Sequence, residues 1–536
     1  MDFRVILHLD LDAFYCQVEH KRLGIDRSVP LAVRQWDGLI AVNYPAKAKG
    51  IKRGCQIAEA MEKCPGLKLV HVETIGKTDD ADGSIGEVKA DRATSKASLA
   101  RYRRASFEVI KVMQKFSSFI ERASIDEVYI DVTGSVDERL QNGLEEIALD
   151  WEESHVAEGA ALNLNLDSDL RLVVGAKICK EIRDAIKRET DYEVSAGISH
   201  NKMLSKLASA MNKPNKQTIV SSSAITKLMK QLPYTDINGL GGKLGEKVKA
   251  HFPECQTAYD LQKYDKHVMQ QCLGEKGGLW LHNLVRGSID DPVKPNLLPK
   301  SLNACKSFPK GDMAQVKHWL QILCAELIDR IDQDSQDFHR MPRNLVLHAR
   351  SSKTFEERSR QSTMPGNGSL PTQQAMFEAA LKLFQKLEKE CLPSSRLSVG
   401  STDFVSQEKS MRKLSNFFSS STNAQPGEQN TSFNQSTKRA GIEISGRKDT
   451  VEFASGKRKG DFFKAPFVHK PEPKVERVAE APSASVSIPD LDLGEINRQK
   501  YILSMIQSQS QRNAKKAKTD AKAGQRNLSH FFKRKA

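Results

Sequence analysis

The chain has 536 residues and a formal net charge of +15, a length that suits about three or four domain-sized units. The charge is uneven, because residues 407–536 carry 25 Lys+Arg against 13 Asp+Glu and so hold +12, leaving +3 for residues 1–406; such a basic tail points to polyanionic partners or nuclear import. Nine cysteines without a CxxC pair read as reduced thiols of an intracellular protein, and the acids at positions 2, 10 and 12, with no long apolar stretch elsewhere, exclude a signal peptide and a membrane span, so the NxS/T matches at Asn430 and Asn434 are chance.

In chain order, "RVILHLD" (4–10) is a short apolar run that predicts a buried strand ending on Asp10, with Asp12 on the same face of the extended chain. "VYIDV" (128–132) predicts a second strand, preceded by Asp126 and Glu127. "AKICKEIRDAIKRE" (176–189) places Ile178, Ile182, Ala185 and Ile186 on one helical face, and "YEVSAGIS" (192–199) is a third strand. A helix over 201–212 follows, with Met203, Leu204, Leu207, Ala208 and Met211 inward and Pro214 as its stop. From about residue 300 the order becomes strand, helix (Asp312 cap; Val316, Leu320, Leu323, Leu327 and Ile331 inward), strand "NLVLHAR" (344–350), helix "AMFEAALKLFQKLEKE" (375–390) and strand "RLSVGST" (396–402). This βαβαβ alternation implies a separate small sheet domain, and the whole is an α/β (α+β) protein. Beyond 406 apolar residues are sparse and disorder is expected, apart from short motifs.

Two adjacent acids at a strand's start repel each other, and persist when they are solvated, capped or neutralised by a cation. A solvated turn is the ordinary outcome for Asp126 and Glu127 alone. If Asp10 lies beside them, three carboxylates converge; hard oxygen donors without His or Cys favour Mg²⁺, with Mn²⁺ as an alternative, over Zn²⁺ and suit two-metal phosphoryl transfer. "YPAKAKGIKRG" (44–54) offers Tyr44, Lys47 and Arg53, and Lys213 follows the third strand's helix; these could meet a triphosphate, although a basic stretch by itself is more often a solvated face. "INGLGGKLGEKVKAHF" (237–252) is a Gly-rich turn with Gly239, Gly241, Gly242, Lys243 and Gly245, opening a helix with Leu244 and Val248 inward. It reads either as a helix C-cap or as a helix-hairpin-helix whose backbone N–H groups meet a DNA phosphate without reading sequence.

"LDLDAFYCQVE", "ERASIDEVYIDVTG", "GISHNKMLSKLASAMNKPN", "GLGGKLG" and "KSLNACKSFPKG" stand in the order found in the Y-family translesion DNA polymerases, which the chain resembles from residue 4 to about 406, with insertions near 76–96 and 150–170. The resemblance implies a right hand: palm at 1–14 and 99–223, fingers at 15–98, thumb at 224–296, little finger at 297–406 and a regulatory tail at 407–536. It also implies DNA primer-template and deoxynucleoside triphosphates as substrates. Carried over by position, Asp10, Asp126 and Glu127 look like metal ligands, joined by the Leu11 carbonyl. Tyr15 matches the gate that excludes a ribose 2′-hydroxyl, while Phe14 packs. Tyr44, Lys47, Arg53 and Lys213 match triphosphate contacts, Gln35 beside Arg34 matches a template-base contact, and Lys300 to Phe308 matches the strand that follows the template backbone. Lys47 departs from the family's usual Arg, which keeps the charge and loses a bidentate fork.

In the tail, "QRNLSHFF" (525–532) is a QxxLxxFF box that would present Leu528, Phe531 and Phe532 to a sliding clamp (PCNA), with Gln525 in a polar pocket. "MRKLSNFF" (411–418) is a weaker version, or a hydrophobic patch that closes the little finger. "GKRKG" (456–460), Lys515 to Lys518 and "KRK" (533–535) read as import signals of a nuclear protein. The tail has no Cys after 391, so it cannot form the ubiquitin-binding zinc finger of many family members; the amphipathic 488–507 segment is a candidate site for ubiquitin or another partner. A catalytically weak scaffold, another branch of the same family and another palm enzyme such as a nucleotide cyclase are the alternatives; the three acids weigh against the first, and the hairpin and clamp box against the last.

Overall fold

The computed structural model describes residues 4–76, 91–142, 154–158 and 162–407. Its central strand is Ile6–Leu11, paired antiparallel with Glu127–Asp131 on one side and Val194–Ser199 on the other. Among the described residues, Ile120–Arg122, Gln217–Ile219 and Ser154–Val156 complete a six-stranded palm sheet. Ile6, Leu7 and Leu9 are all buried because helices cover both faces, which is why the run reads as continuously apolar rather than alternating. The helix Asp167–Thr190 begins nine residues before the predicted stretch, with Asp167 and Asp169 in its first turn, where they suit the positive end of the helix dipole. Its expected face, Ile178, Ile182, Ala185 and Ile186, is buried.

The helix Lys202–Met211 corrects one expectation. Its buried residues are Leu204, Ser205, Ala208 and Ser209, while Met203 and Leu207 are half-buried and Met211 is 40% exposed. The cause is Gly197 in the facing strand: a Cβ there would lie 1.9 Å from the Ser205 carbonyl oxygen and 2.4 Å from the Ser209 nitrogen. Helix and strand backbones almost touch, so small side chains face the sheet and long ones are turned aside. Asn201 caps the helix by accepting from the Leu204 N–H at 3.0 Å.

Three further units surround the palm. A small sheet of Leu31–Gln35, Gly38–Val42 and Lys68–His71 forms the fingers with a core of Ala32, Leu39, Val42 and Ile51. A helical cluster around Leu240, Val248, Phe252 and Leu284 forms the thumb. The third unit is an antiparallel sheet in the order Ser301–Gly311, Ser394–Ser406, Arg340–Ser351, Glu357–Thr363, packed on the helices Met313–Phe338 and Gln373–Gln385. Asp312 caps the first of these helices by accepting from the Gln315 N–H at 2.9 Å, and all five residues expected to face inward are buried. The predicted βαβαβ order is corrected to βαββαβ, because Glu357–Thr363 is an additional strand. "ERSRQST" shows no apolar alternation because it is an edge strand exposed along nearly its whole length. The predicted helix 375–390 breaks into Gln373–Gln385 and Glu388–Cys391.

All nine cysteines are free, and among the described residues no helix is long and apolar enough to cross a membrane. The expected tail, 407–536, lies outside the described residues except for Gln407.

Candidate catalytic site and DNA interface

Strand register assembles the acids. Asp10 stands directly opposite Glu127, and the Leu11 N–H donates to the Asp126 carbonyl at 3.0 Å, so all three acids and the Leu11 backbone share one end of two central strands. Burial pushes the Asp10 carboxyl up, Glu127 and Asp126 add repulsion, and the Lys213 ammonium opposes both. Lys213 Nζ lies 2.6 Å from Asp10 Oδ1, and Lys206 Nζ pairs with Glu127 Oε1. Ser124 organises the turn: its hydroxyl donates to Asp126 Oδ1 at 2.5 Å and accepts from the N–H groups of Asp126 and Glu127 at 3.1 and 3.0 Å. Among the described residues no three His, Cys, Asp or Glu side chains are gathered closely enough to hold a metal ion as they stand. Convergence is therefore reached in the backbone register, while the carboxylates of Asp10 and Glu127 turn to lysine ammoniums that neutralise them. The donor set itself, three carboxylates and a strand-end carbonyl without His or Cys, suits a hard divalent cation.

Asp12 does share a face with Asp10, since both reach Lys213 Nζ, at 3.5 and 2.6 Å. It is buried, however, and accepts from the Ser195 hydroxyl at 2.7 Å, the Asn215 N–H at 2.8 Å and the Tyr44 hydroxyl at 3.0 Å. Asp12 is thus a tie between the palm, the fingers and the Lys213 loop, and Tyr44, expected at a triphosphate, spends its hydroxyl on that tie. Burial, with the Asp12 charge second, pushes the Tyr44 phenol far up. Lys47 closes the short helix Tyr44–Lys47, capped by Asn43, and lies 4.3 Å from the Tyr44 ring centroid. Arg53 is exposed in the following loop, and Gln35 is half-buried at the end of its strand, opposite Gly38.

Tyr15 opens the helix Phe14–Leu23 and stacks on Tyr102 with centroids 4.0 Å apart and planes 14° apart. Burial, and after it the charge of Asp126, raises its phenol, while the charges of Arg53 and Arg103 pull it down. Phe14 is core, as expected. Sequence reasoning missed Tyr102, whose hydroxyl donates at 2.8 Å to Glu19, a fully buried acid also paired with Arg101 at 3.1 Å and Arg22 at 2.7 Å. The available signal was an aromatic inside the amphipathic stretch "ARYRRASFEVIKVM", and nothing local marks its partner.

The Gly-rich turn opens the helix Lys243–His251 with Gly242 at its N-cap; Gly241, Gly242 and Lys243 are exposed, Val248 is buried and Leu244 half-buried. Gly239 has φ +95°, and a Cβ on Gly245 would lie 1.7 Å from the Leu240 carbonyl oxygen. Gly245→Ala is accordingly expected to cost about 3 kcal/mol, read as a lower thermal midpoint together with weaker duplex binding. An alanine variant as stable as the wild type would show that the turn opens freely. Gln525, Leu528, Phe531 and Phe532, with segments 411–418 and 488–507, lie outside the described residues.

Three family models match: impB/mucB/samB family over residues 9–210, DNApol eta/Rev1, HhH motif over 232–288, and impB/mucB/samB family C-terminal domain over 299–415. The chain is 35% identical over 392 residues to DNA polymerase eta of Drosophila melanogaster, covering 64% of this chain and 42% of the relative. It is 35% identical over 387 residues to DNA polymerase eta of Arabidopsis thaliana, covering 67% and 54%. Against DNA polymerase iota of Homo sapiens the identity is 29% over 400 residues, covering 73% and 50%, so an iota-like reading is not favoured. The chain spans about half the length of these relatives. With its palm acids, its hairpin thumb and its little finger each matched in order, the chain belongs to the impB/mucB/samB family, the Y family of DNA polymerases, and stands close to polymerase eta.

Proposed function

We propose that the chain is a template-directed DNA polymerase that copies past damaged bases, UV photoproducts such as thymine dimers among them. The observation that carries this reading is the pairing of Asp10 with Glu127, with the Asp126 carbonyl accepting from the Leu11 N–H beside them. Two divalent cations, Mg²⁺ or alternatively Mn²⁺, held by Asp10, Asp126, Glu127 and the Leu11 carbonyl, would supply charge neutralisation for phosphoryl transfer. Lys213 and Lys206 must then release the carboxylates they now neutralise. Lys213, freed from Asp10, joins Lys47 and Arg53 as a countercharge for the triphosphate, with Tyr44 behind them. Tyr15, held flat by Tyr102, leaves no room for a 2′-hydroxyl, and Gln35 touches the template base. Gly239, Gly241, Gly242, Lys243 and Gly245 offer backbone N–H groups and one ammonium to a duplex phosphate. Residues 1–14 and 99–223 act as palm, 15–98 as fingers, 224–296 as thumb, 297–406 as little finger and 407–536 as regulatory tail.

Primer extension on undamaged and thymine-dimer templates, with Mg²⁺, with Mn²⁺ and with chelator, tests this reading. Extension past the dimer that needs a divalent ion is expected; a folded protein that extends neither template overturns it.

The tail box "QRNLSHFF" supplies recruitment to a sliding clamp in the nucleus, and 488–507 an attachment point for ubiquitin or another partner. The paired substitution Phe531→Ala with Phe532→Ala is expected to leave synthesis on short primers unchanged and to remove stimulation by a loaded clamp, because the two rings are the apolar anchors of the box. Full stimulation in the double variant would move the site to "MRKLSNFF", which deletion of 411–418 would then test.

A further inference from the structure

Lys306 is in an unexpected place. On the strand Ser301–Gly311 the inward positions hold Leu302 and Ala304, and the next inward position is a lysine, buried at 6% exposure. A buried ammonium is tolerated only when its donors are met. Lys306 Nζ donates to the carbonyls of Arg92 and Ser95, each at 2.6 Å, and lies 4.3 Å from the Trp319 ring centroid and 5.2 Å from that of Trp36. Arg92, Ser95 and Trp36 belong to the fingers side, and Lys306 and Trp319 to the little finger. A second buried ion pair joins the same units: Lys96 Nζ lies 2.6 Å from Glu326 Oε2, with both side chains under one-tenth exposed. Trp36 itself has φ +58°, a left-handed conformation held by its N–H donating to His71 Nε2 at 3.0 Å, and it directly follows Gln35.

We propose that Lys306 and the Lys96–Glu326 pair are positioning residues that fix the strand Ser301–Gly311 against the Trp36 turn and thereby set the register in which a template strand passes Gln35. This rests on the polymerase reading. Loosening the contact lets the little-finger strand slide relative to the fingers, so the base next in line can direct insertion in place of the templating base.

The test uses the full chain as wild type, Lys306→Met, Lys96→Glu, Glu326→Lys and the double swap Lys96→Glu with Glu326→Lys. Without DNA, hydrogen exchange over residues 91–97 is expected to quicken in each single variant and to recover in the swap. With a primer-template, the ratio of insertion directed by the next template base to insertion directed by the templating base is expected to rise about tenfold in the single variants, and the double swap to return to within about twofold of wild type. An unchanged ratio in single variants whose exchange has quickened overturns the proposal, as does a double swap no better than the singles. A wild type that extends no primer removes the polymerase reading and this proposal together, whereas a wild type that extends normally while Lys306→Met slips no more than it does removes this proposal alone.

Discussion

Replacing Asp126 or Glu127 with alanine is expected to lower the rate of nucleotide addition by about a thousandfold or more, with primer-template affinity altered by about twofold at most. The reasoning is electrostatic. These carboxylates sit at the end of paired strands, and on the proposed mechanism they would hold the cations that offset the charge built up in phosphoryl transfer rather than the DNA backbone. The two substitutions have different side effects. Asp126→Ala removes the acceptor of the Ser124 hydroxyl, and Glu127→Ala leaves Lys206 without its carboxylate. Thermal unfolding of both variants therefore belongs beside the rate measurement, and Glu127→Gln separates the lost charge from the lost volume. Substantial extension by both alanine variants would sink the assignment of the acids.

Tyr15→Ala is expected to raise ribonucleotide use relative to deoxynucleotide use by about a hundredfold. On the proposed reading the ring is a wall of the nucleotide site: Phe14 takes the core position, while Tyr15 is half-buried and stacks on Tyr102. Because Tyr102 is anchored to Glu19, Tyr102→Ala should free the Tyr15 ring and give a smaller rise in the same ratio, with deoxynucleotide insertion nearly unchanged. Single-nucleotide insertion with matched ribo- and deoxynucleotides measures both variants. An unaltered ratio in a folded Tyr15→Ala protein would mean that the ring only packs.

The sequence by itself determined the features whose physics is local. The apolar run ending on Asp10, the acids preceding the second strand, the helical face of Ile178, Ile182, Ala185 and Ile186, the Asp312 cap and the glycines opening Lys243–His251 follow from side-chain period, capping chemistry and backbone freedom, each acting over a few residues. Tertiary structure decided the rest, because the partner lies far along the chain. The pairing of Asp10 with Glu127 and the lysines that neutralise them are such cases, as is the stack of Tyr102 on Tyr15. In the helix Lys202–Met211, hydropathy favoured Leu207 and Met211, and the bare backbone of Gly197 turned Ser205 and Ser209 inward instead. The edge strand Glu357–Thr363 was hidden because one partner strand and open solvent impose no apolar alternation on it. Lys306 shows the same limit from the other side: a charged residue reads as surface until a second unit supplies two carbonyls and the Trp36 indole, which with Trp319 of its own unit enclose it.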